Sequence, residues 1–182
     1  MESLVLITIF ALTGWAIFIY NRLVRDRNRV NAAWSDIDVQ LKRRYDLIPQ
    51  LVEAVRQYAA YERATLSAVI ELRNLAQQSD SVSERAEREK VLGKGMHQLI
   101  AVAEQYPQLK ANESFLELQT NLTDVEDHIQ YARRYYNGTV RNLNTRIDTF
   151  PDLIIARLFG YRHNSYFELE SGQERQPMEI RL

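Results

Sequence analysis

The sequence predicts an all-α protein: a single N-terminal transmembrane helix followed by an antiparallel four-helix bundle. Three observations carry that reading. Ser3 to Asn21 holds no formal charge and consists mostly of Leu, Ile, Val, Phe and Ala. From Val30 onward apolar residues recur every three or four positions, the period of a helix face. Six Gly and four Pro in 182 residues leave little material for a loop-rich or all-β fold.

The length suits one domain plus an anchor. With 23 basic and 24 acidic residues, bulk charge gives no argument for a nucleic-acid partner. Cysteine is absent, which removes disulfides, thiolate metal sites, cysteine nucleophiles and lipidation of an N-terminal Cys.

Residues 1–21 read as the anchor, with Leu4, Phe10, Trp15, Phe18 and Tyr20 as its membrane-facing residues. A helix needs about 17–25 predominantly apolar residues to span the hydrocarbon core, so the run is just sufficient. Tyr20 stands where an aromatic belt residue belongs. A cleaved signal peptide is the competing reading, but Met-Glu-Ser supplies no positive n-region and no small-residue cleavage site precedes Asn21. Glu2 precedes the span, while Arg22, Arg25, Arg27 and Arg29 follow it. The positive-inside rule then places the N-terminus outside and the bundle in the cytoplasm of a cell (inner) membrane.

Residues 22–170 read as the bundle. The first seam is heptad-patterned, of the coiled-coil kind: Val30, Trp34, Ile37, Leu41, Tyr45, Ile48, Val52, Val55 and Ala59, then Leu66 and Val69. Asp38 and Lys42 form a supporting i,i+4 pair. Pro49 interrupts the seam, and a helix-interior Pro costs about 3 kcal/mol. Either one long helix kinks there, or Asp46 caps a new helix with Pro49 in its first turn. A break gives three helices of matched length, ~38, ~43 and ~37 Å at 1.5 Å per residue, and so favours a break or a sharp kink over a straight rod.

Ser79 to Ser83 is a polar break, with Ser83 as cap of a third helix whose seam is Leu92, Met96, Leu99, Val102/Ala103 and Tyr106. Pro107 ends it. Asn112 caps the last long helix, with a seam through Phe115, Leu118, Leu122, Val125, Ile129, Ala132, Tyr136, Val140, Leu143, Ile147 and Phe150. Pro151 stops this helix. Leu153, Ile154, Ile155, Leu158 and Phe159 follow as an amphipathic turn that caps the bundle, lies in the membrane interface or meets another subunit. Residues 171–182 read as a polar tail expected to be disordered.

Catalytic or metal chemistry finds little support. Of the three histidines, neither His97 nor His128 has the Glu at i−3 that a di-iron bundle requires; Lys94 and Val125 stand there. Asp124, Glu126, Asp127 and His128 form an acidic cluster that suits a metal or small-ligand sensor, but a solvated face with an intrahelical ion pair explains it as well. No HExxH, P-loop or GxGxxG occurs. The Asn121 and Asn137 glycosylation sequons fall inside a predicted helix. No catalytic residue, cofactor or metal ligand is assigned. The basic residues after the span, joined by Arg133, Arg134, Arg141 and Arg146 from the last helix, form a collar that suits an anionic leaflet.

Three stretches resemble the LemA family of bacterial membrane proteins: YNRLVRDRNRVNAAWSDIDVQLKRRYDLIPQLVEAV, YARRYYNGTVRNLNTRIDTFP and LIIARLFGYRHNSYFELE. The resemblance covers Tyr20 to Glu170. It implies one N-terminal span with a small external N-terminus and an antiparallel four-helix bundle. Some members resemble lipoproteins with a Cys before the YN pair, where this chain has Phe18-Ile19. The resemblance brings no catalytic residues. It points to membrane organisation, through a relative associated with magnetosome membranes, and to membrane quality control, since some members are encoded near membrane metalloproteases. The expectation is a non-enzymatic membrane scaffold that contacts the lipid bilayer and self-associates. A membrane protease is a further partner class.

Overall fold

The computed structural model describes residues 1–59 and 61–167. The expected polar tail at 171–182 lies outside them.

The first helix, α1, runs without interruption from Glu2 to Arg56. Its N-terminal part is the apolar run, almost entirely exposed, and one 18-residue window has a mean hydropathy of 2.1. By length and composition it is sufficient to cross a membrane. Burial begins at Ile19 and Leu23 and continues through Val30, Ala33, Ile37, Leu41, Ile48, Leu51 and Val55. Those spacings of three, four and seven put one stripe of α1 against the rest of the molecule.

The helix is not broken at Pro49, which lies inside α1. Pro49 lacks an N–H, so the carbonyl of Tyr45, four residues back, loses its helical donor. Arg73 Nε donates to that carbonyl at 2.7 Å. Ile48 and Leu51, on either side of the proline, are fully buried. A replacement donor and two buried neighbours offset the cost of the proline, and the helix continues. The chain turns instead at 57–62, where Gln-Tyr-Ala-Ala-Tyr-Glu contains neither Gly nor Pro.

Two shorter helices follow, α2 (Arg63–Gln77) and α3 (Val82–Ala103), and then a single turn, α4 (Pro107–Lys110). Helix α3 is capped by Ser81 rather than Ser83: the Ser81 hydroxyl accepts from the Glu84 N–H at 3.2 Å. Helix α5 (Glu113–Asp148) begins at the predicted cap, where the Asn112 side chain accepts from the Phe115 N–H at 3.2 Å. It ends just before Pro151, and α6 (Asp152–Leu158) folds back at that end.

Partner residues give the directions. Arg146 of α5 meets Asp26 of α1 and Arg43 meets Asp124, so α1 and α5 are antiparallel. Arg85 and Glu89 of α3 meet Asp38 and Tyr45, so α3 is parallel to α1. Asp38 therefore serves Arg85 rather than Lys42. Helix α2 runs the other way and packs on α3 at Gly95, where an added Cβ would lie 2.9 Å from Leu72 Cδ1. The result is an antiparallel four-helix bundle of α1, α2, α3 and α5.

Its lengths are not matched as expected. From Arg22 to Arg56, α1 covers ~52 Å and α5 ~54 Å, whereas α2 and α3 cover ~22 and ~33 Å. A short hairpin thus packs beside the distal half of a long antiparallel pair. On the half nearer the apolar span, α6 and the segment after it take the hairpin's place.

Candidate functional site

Two groups of charged side chains are built into the fold, at different heights on the α1–α5 pair. The distal one is buried. Arg44, Tyr45 and Glu89 lie inside the four-helix half. Arg44 Nη1 reaches Glu89 Oε2 on α3 at 2.7 Å, and Nη2 reaches Glu126 Oε1 on α5 at 2.7 Å. Tyr45 Oη donates to the other Glu89 oxygen, Oε1. Burial raises the Glu89 carboxyl pKa, with Arg44 opposing it. Burial and the adjacent Glu89 carboxylate push the Tyr45 phenol up. One guanidinium therefore joins α1, α3 and α5.

That arrangement divides the acidic cluster predicted near His128. Glu126 is committed to Arg44, while Asp124 is held by Arg43 at 3.2 Å and by His128 at 3.4 Å. Among the described residues no group of three His, Cys, Asp or Glu side chains could hold a metal ion.

The second group lies one turn beyond the apolar run. Asp26 is buried, and its Oδ2 accepts from Arg146 Nε at 2.5 Å. The same guanidinium donates from Nη1 to Asp152 Oδ2 at 3.1 Å. Burial works against the Arg146 charge, but the two aspartates more than restore it and its pKa is raised. Around this clamp Arg22, Arg29, Arg141, Asn142, Thr145 and Phe150, among others, line a cleft of about 540 Å³. Four arginines face it against two aspartates.

The predicted juxtamembrane collar is thus divided. Arg22 and Arg29 enter the cleft, Arg27 lies over the Tyr161 ring at 5.3 Å, and Arg25 is exposed and does not line it. From α5, Arg141 and Arg146 line the cleft; Arg133 and Arg134 do not. Arg22 also lies over Phe18, 5.7 Å from its ring centroid.

Of the predicted anchor residues, Leu4, Phe10, Trp15 and Phe18 are exposed, whereas Tyr20 packs on Phe159 with centroids 4.6 Å apart. That contact sets the height of α6. Ile155 is buried and caps the α1–α5 pair; Leu153 is half-buried. Ile154, Leu158 and Phe159 are exposed, at the level where the apolar run ends. Phe150, placed in the α5 seam by periodicity, is also exposed, because α5 ends at Asp148 and the chain turns there.

One built feature had no place in the sequence reading. After Gly160, which has a φ of 68°, residues 161–167 lie extended along α5. Asn144 donates to the Asn164 carbonyl at 3.0 Å and accepts from its N–H at 2.9 Å. Asn137, two turns earlier, does the same with Phe167 at 3.1 and 2.9 Å. Phe167 is buried beside Trp34, and Tyr136 Oη donates to the Ser165 carbonyl at 2.9 Å. The signal available in sequence was the i,i+7 spacing of Asn137 and Asn144, which puts both amides on one face of α5.

The chain is similar in sequence to known proteins. The family model described as LemA family matches residues 33–181. Protein LemA of Metamycoplasma hominis is 30% identical over 167 residues, covering 86% of this chain and 74% of that protein. Magnetosome protein MamQ of Magnetospirillum gryphiswaldense is 25% identical over 174 residues, covering 81% of this chain and 64% of that protein. Magnetosome protein MamQ 2 of Paramagnetospirillum magneticum is 24% identical over 175 residues, with 82% and 64% covered. The match therefore spans less than two thirds of either magnetosome relative. The family match takes in the distal charge network, the α1–α5 pair from Ala33 onward and the asparagine-held segment. On that evidence the chain belongs to the LemA family.

Proposed function

We propose that this chain is a membrane-anchored, non-enzymatic helical scaffold of the bacterial inner membrane, with its N-terminus outside and its bundle in the cytoplasm. It self-associates or recruits partners through the bundle surface. The observation that carries this reading is the continuity of α1: one 55-residue helix is both the exposed apolar run and the spine of the bundle. No linker separates them, so the bundle stands at a fixed height and rotation against the bilayer. The non-enzymatic part is supported by the two charge clusters, whose Asp26, Asp152, Glu89 and Glu126 carboxylates are all paired with arginine.

Full-length protein extracted in mild detergent and sized by light scattering is expected to form a discrete higher-order oligomer. A strictly monomeric particle overturns self-association. Since the chain has no Cys, single substitutions at Ser3 and Glu62 can be probed with an impermeant maleimide in intact cells. Labelling at Ser3→Cys alone is expected; labelling at Glu62→Cys alone reverses the orientation. Native co-purification of a membrane metalloprotease with a monomer would favour an adaptor role instead.

A further inference from the structure

We propose that the arginine cleft between α1 and α5 is a binding site for the headgroup of an anionic phospholipid in the membrane that holds the anchor. The inference rests on the membrane placement proposed above.

Position is the first argument. Arg22 follows the last residue of the apolar run, and Arg29 is seven residues farther, ~10 Å along the axis. A headgroup layer is ~5–8 Å deep on each side of the hydrocarbon. The cleft therefore begins at the edge of the hydrocarbon and extends through the headgroup layer. Arg22, Asp26 and Arg29 stand at i, i+4 and i+7 on one face of α1. Arg141 and Thr145 stand at i and i+4 on the facing stripe of α5, and Thr149, the residue that ends that helix, also lines the cleft.

Charge is the second. Arg146 is committed to Asp26 and Asp152, so it serves as a fixed wall. Asp26 gives its other oxygen to Arg29 only at 3.5 Å. Among the described residues Arg22 and Arg141 have no carboxylate partner. Three guanidiniums thus face a cleft whose two carboxylates are already held by the fourth. A phosphodiester is the complement of such a set, because planar guanidinium forks match phosphate oxygens.

Shape is the third. At about 540 Å³ the cleft has room for a glycerophosphate headgroup rather than a bare ion. Phe150 lines it and is 73% exposed. Ile154, Leu158 and Phe159 of the adjoining α6 add apolar surface at the level of Tyr20. Acyl chains leaving the headgroup would meet these side chains.

The test uses the full chain, purified from nanodiscs of phosphatidylcholine with phosphatidylglycerol, with retained lipid counted by native mass spectrometry. The expected result is phosphatidylglycerol retained one-to-one over phosphatidylcholine. Each arginine near an anionic surface is worth about fivefold in affinity, so R22Q/R29Q/R141Q should lower retention on the order of a hundredfold. R27Q/R157Q/R162Q removes the same charge outside the cleft, Arg27 lying on the side of α1 that meets Tyr161, and should retain the lipid. Because Arg22 and Arg29 also set topology, R141E alone is the second variant, and it should lose most of the retained lipid. Equal loss in the control triple, unchanged retention in R141E, or no preference in the unmodified chain overturns the site. Displacement by millimolar glycerol 3-phosphate shows that a soluble phosphate ester suffices and overturns the lipid assignment. Alkaline carbonate extraction of the unmodified chain is run first. Release there refutes the anchor itself, whereas a retained chain without bound phosphatidylglycerol refutes the site alone.

Discussion

Replacing Arg44 by Met should destabilise the bundle more than any exposed substitution, and should do so in a pH-dependent way. Arg44 and Glu89 are both almost fully buried, and the guanidinium also holds Glu126. Met fills comparable length without charge, so the Glu89 carboxylate loses its cation while staying in the interior. Breaking a buried pair from one side costs about 3–5 kcal/mol. For a domain of this size each kcal/mol moves Tm by about 2–4 °C, which puts the loss on the order of 10 °C. Burial already raises the Glu89 pKa above its ordinary value of 4.5, with Arg44 opposing. A raised folded-state pKa makes a contribution that is full below the unfolded value and is lost as pH rises through the folded one. Without Arg44 the folded pKa rises further and that window extends upward. The Tm deficit of Arg44→Met should therefore be largest at neutral pH and shrink toward pH 4. Adding Glu89→Gln should recover part of it, since the amide carries no charge and its oxygen still accepts from Tyr45. Circular dichroism melts of the detergent-solubilised chain across pH 4–8 measure both variants beside the unmodified chain. A deficit under about 1 kcal/mol, or one that grows on acidification, would refute the account of a buried ion pair opposed by desolvation.

Two further predictions test packing and the extended segment. Gly95→Leu should cost about 1–3 kcal/mol, because even a Cβ at that position meets Leu72 of α2, whereas Gly138→Ala should stabilise by up to ~1 kcal/mol, since nothing lies within 4 Å of the new methyl on α5; thermal melts read both. Asn137→Ala with Asn144→Ala removes four side-chain to backbone hydrogen bonds, and amide exchange at Asn164 and Phe167 should then accelerate at least tenfold while the interior of α5 remains protected.

Helical periodicity carried most of the fold. The seams through Ile37, Leu41 and Ile48 on α1, and through Leu122, Val125 and Val140 on α5, are buried as the spacing predicts. The Asn112 cap was also legible, because its mechanism is local. Pro49 misled for a physical reason: whether a helix survives a proline depends on who satisfies the carbonyl four residues back. Here the donor is Arg73, in a helix that packs against that site only after folding. The turn at 57–62 was invisible because its residues are ordinary helix formers, and the chain turns there so that Leu66, Val69 and Ala76 can pack inward. The arginines near the span were legible as a group. Which of them share a cleft was not, since Arg22 and Arg141 are brought together only by the pairing of two helices far apart in sequence.

That pairing is fixed at three levels. Asp26 meets Arg146, Trp34 meets Tyr136 with centroids 5.5 Å apart, and Arg44 meets Glu126. Moving up α1 by eight and then ten residues is matched by moving down α5 by ten and then ten. A slip of one helical turn would unpair a buried Asp26, strand Arg44 and displace the aromatic layer at once. Ion pairs that add little net stability against hydrophobic replacements can still select one register in this way. For a soluble bundle the register matters only to packing. Here α1 is continuous with the apolar run, so the register also sets the height at which α5 carries its charges. A one-turn slip, ~5.4 Å, is comparable to the depth of a headgroup layer and would move Arg141 out of line with Arg22 and Arg29. The buried Arg44 network, distant from the apolar run, thus helps set the alignment of Arg22, Arg29 and Arg141 on which the proposed lipid site depends.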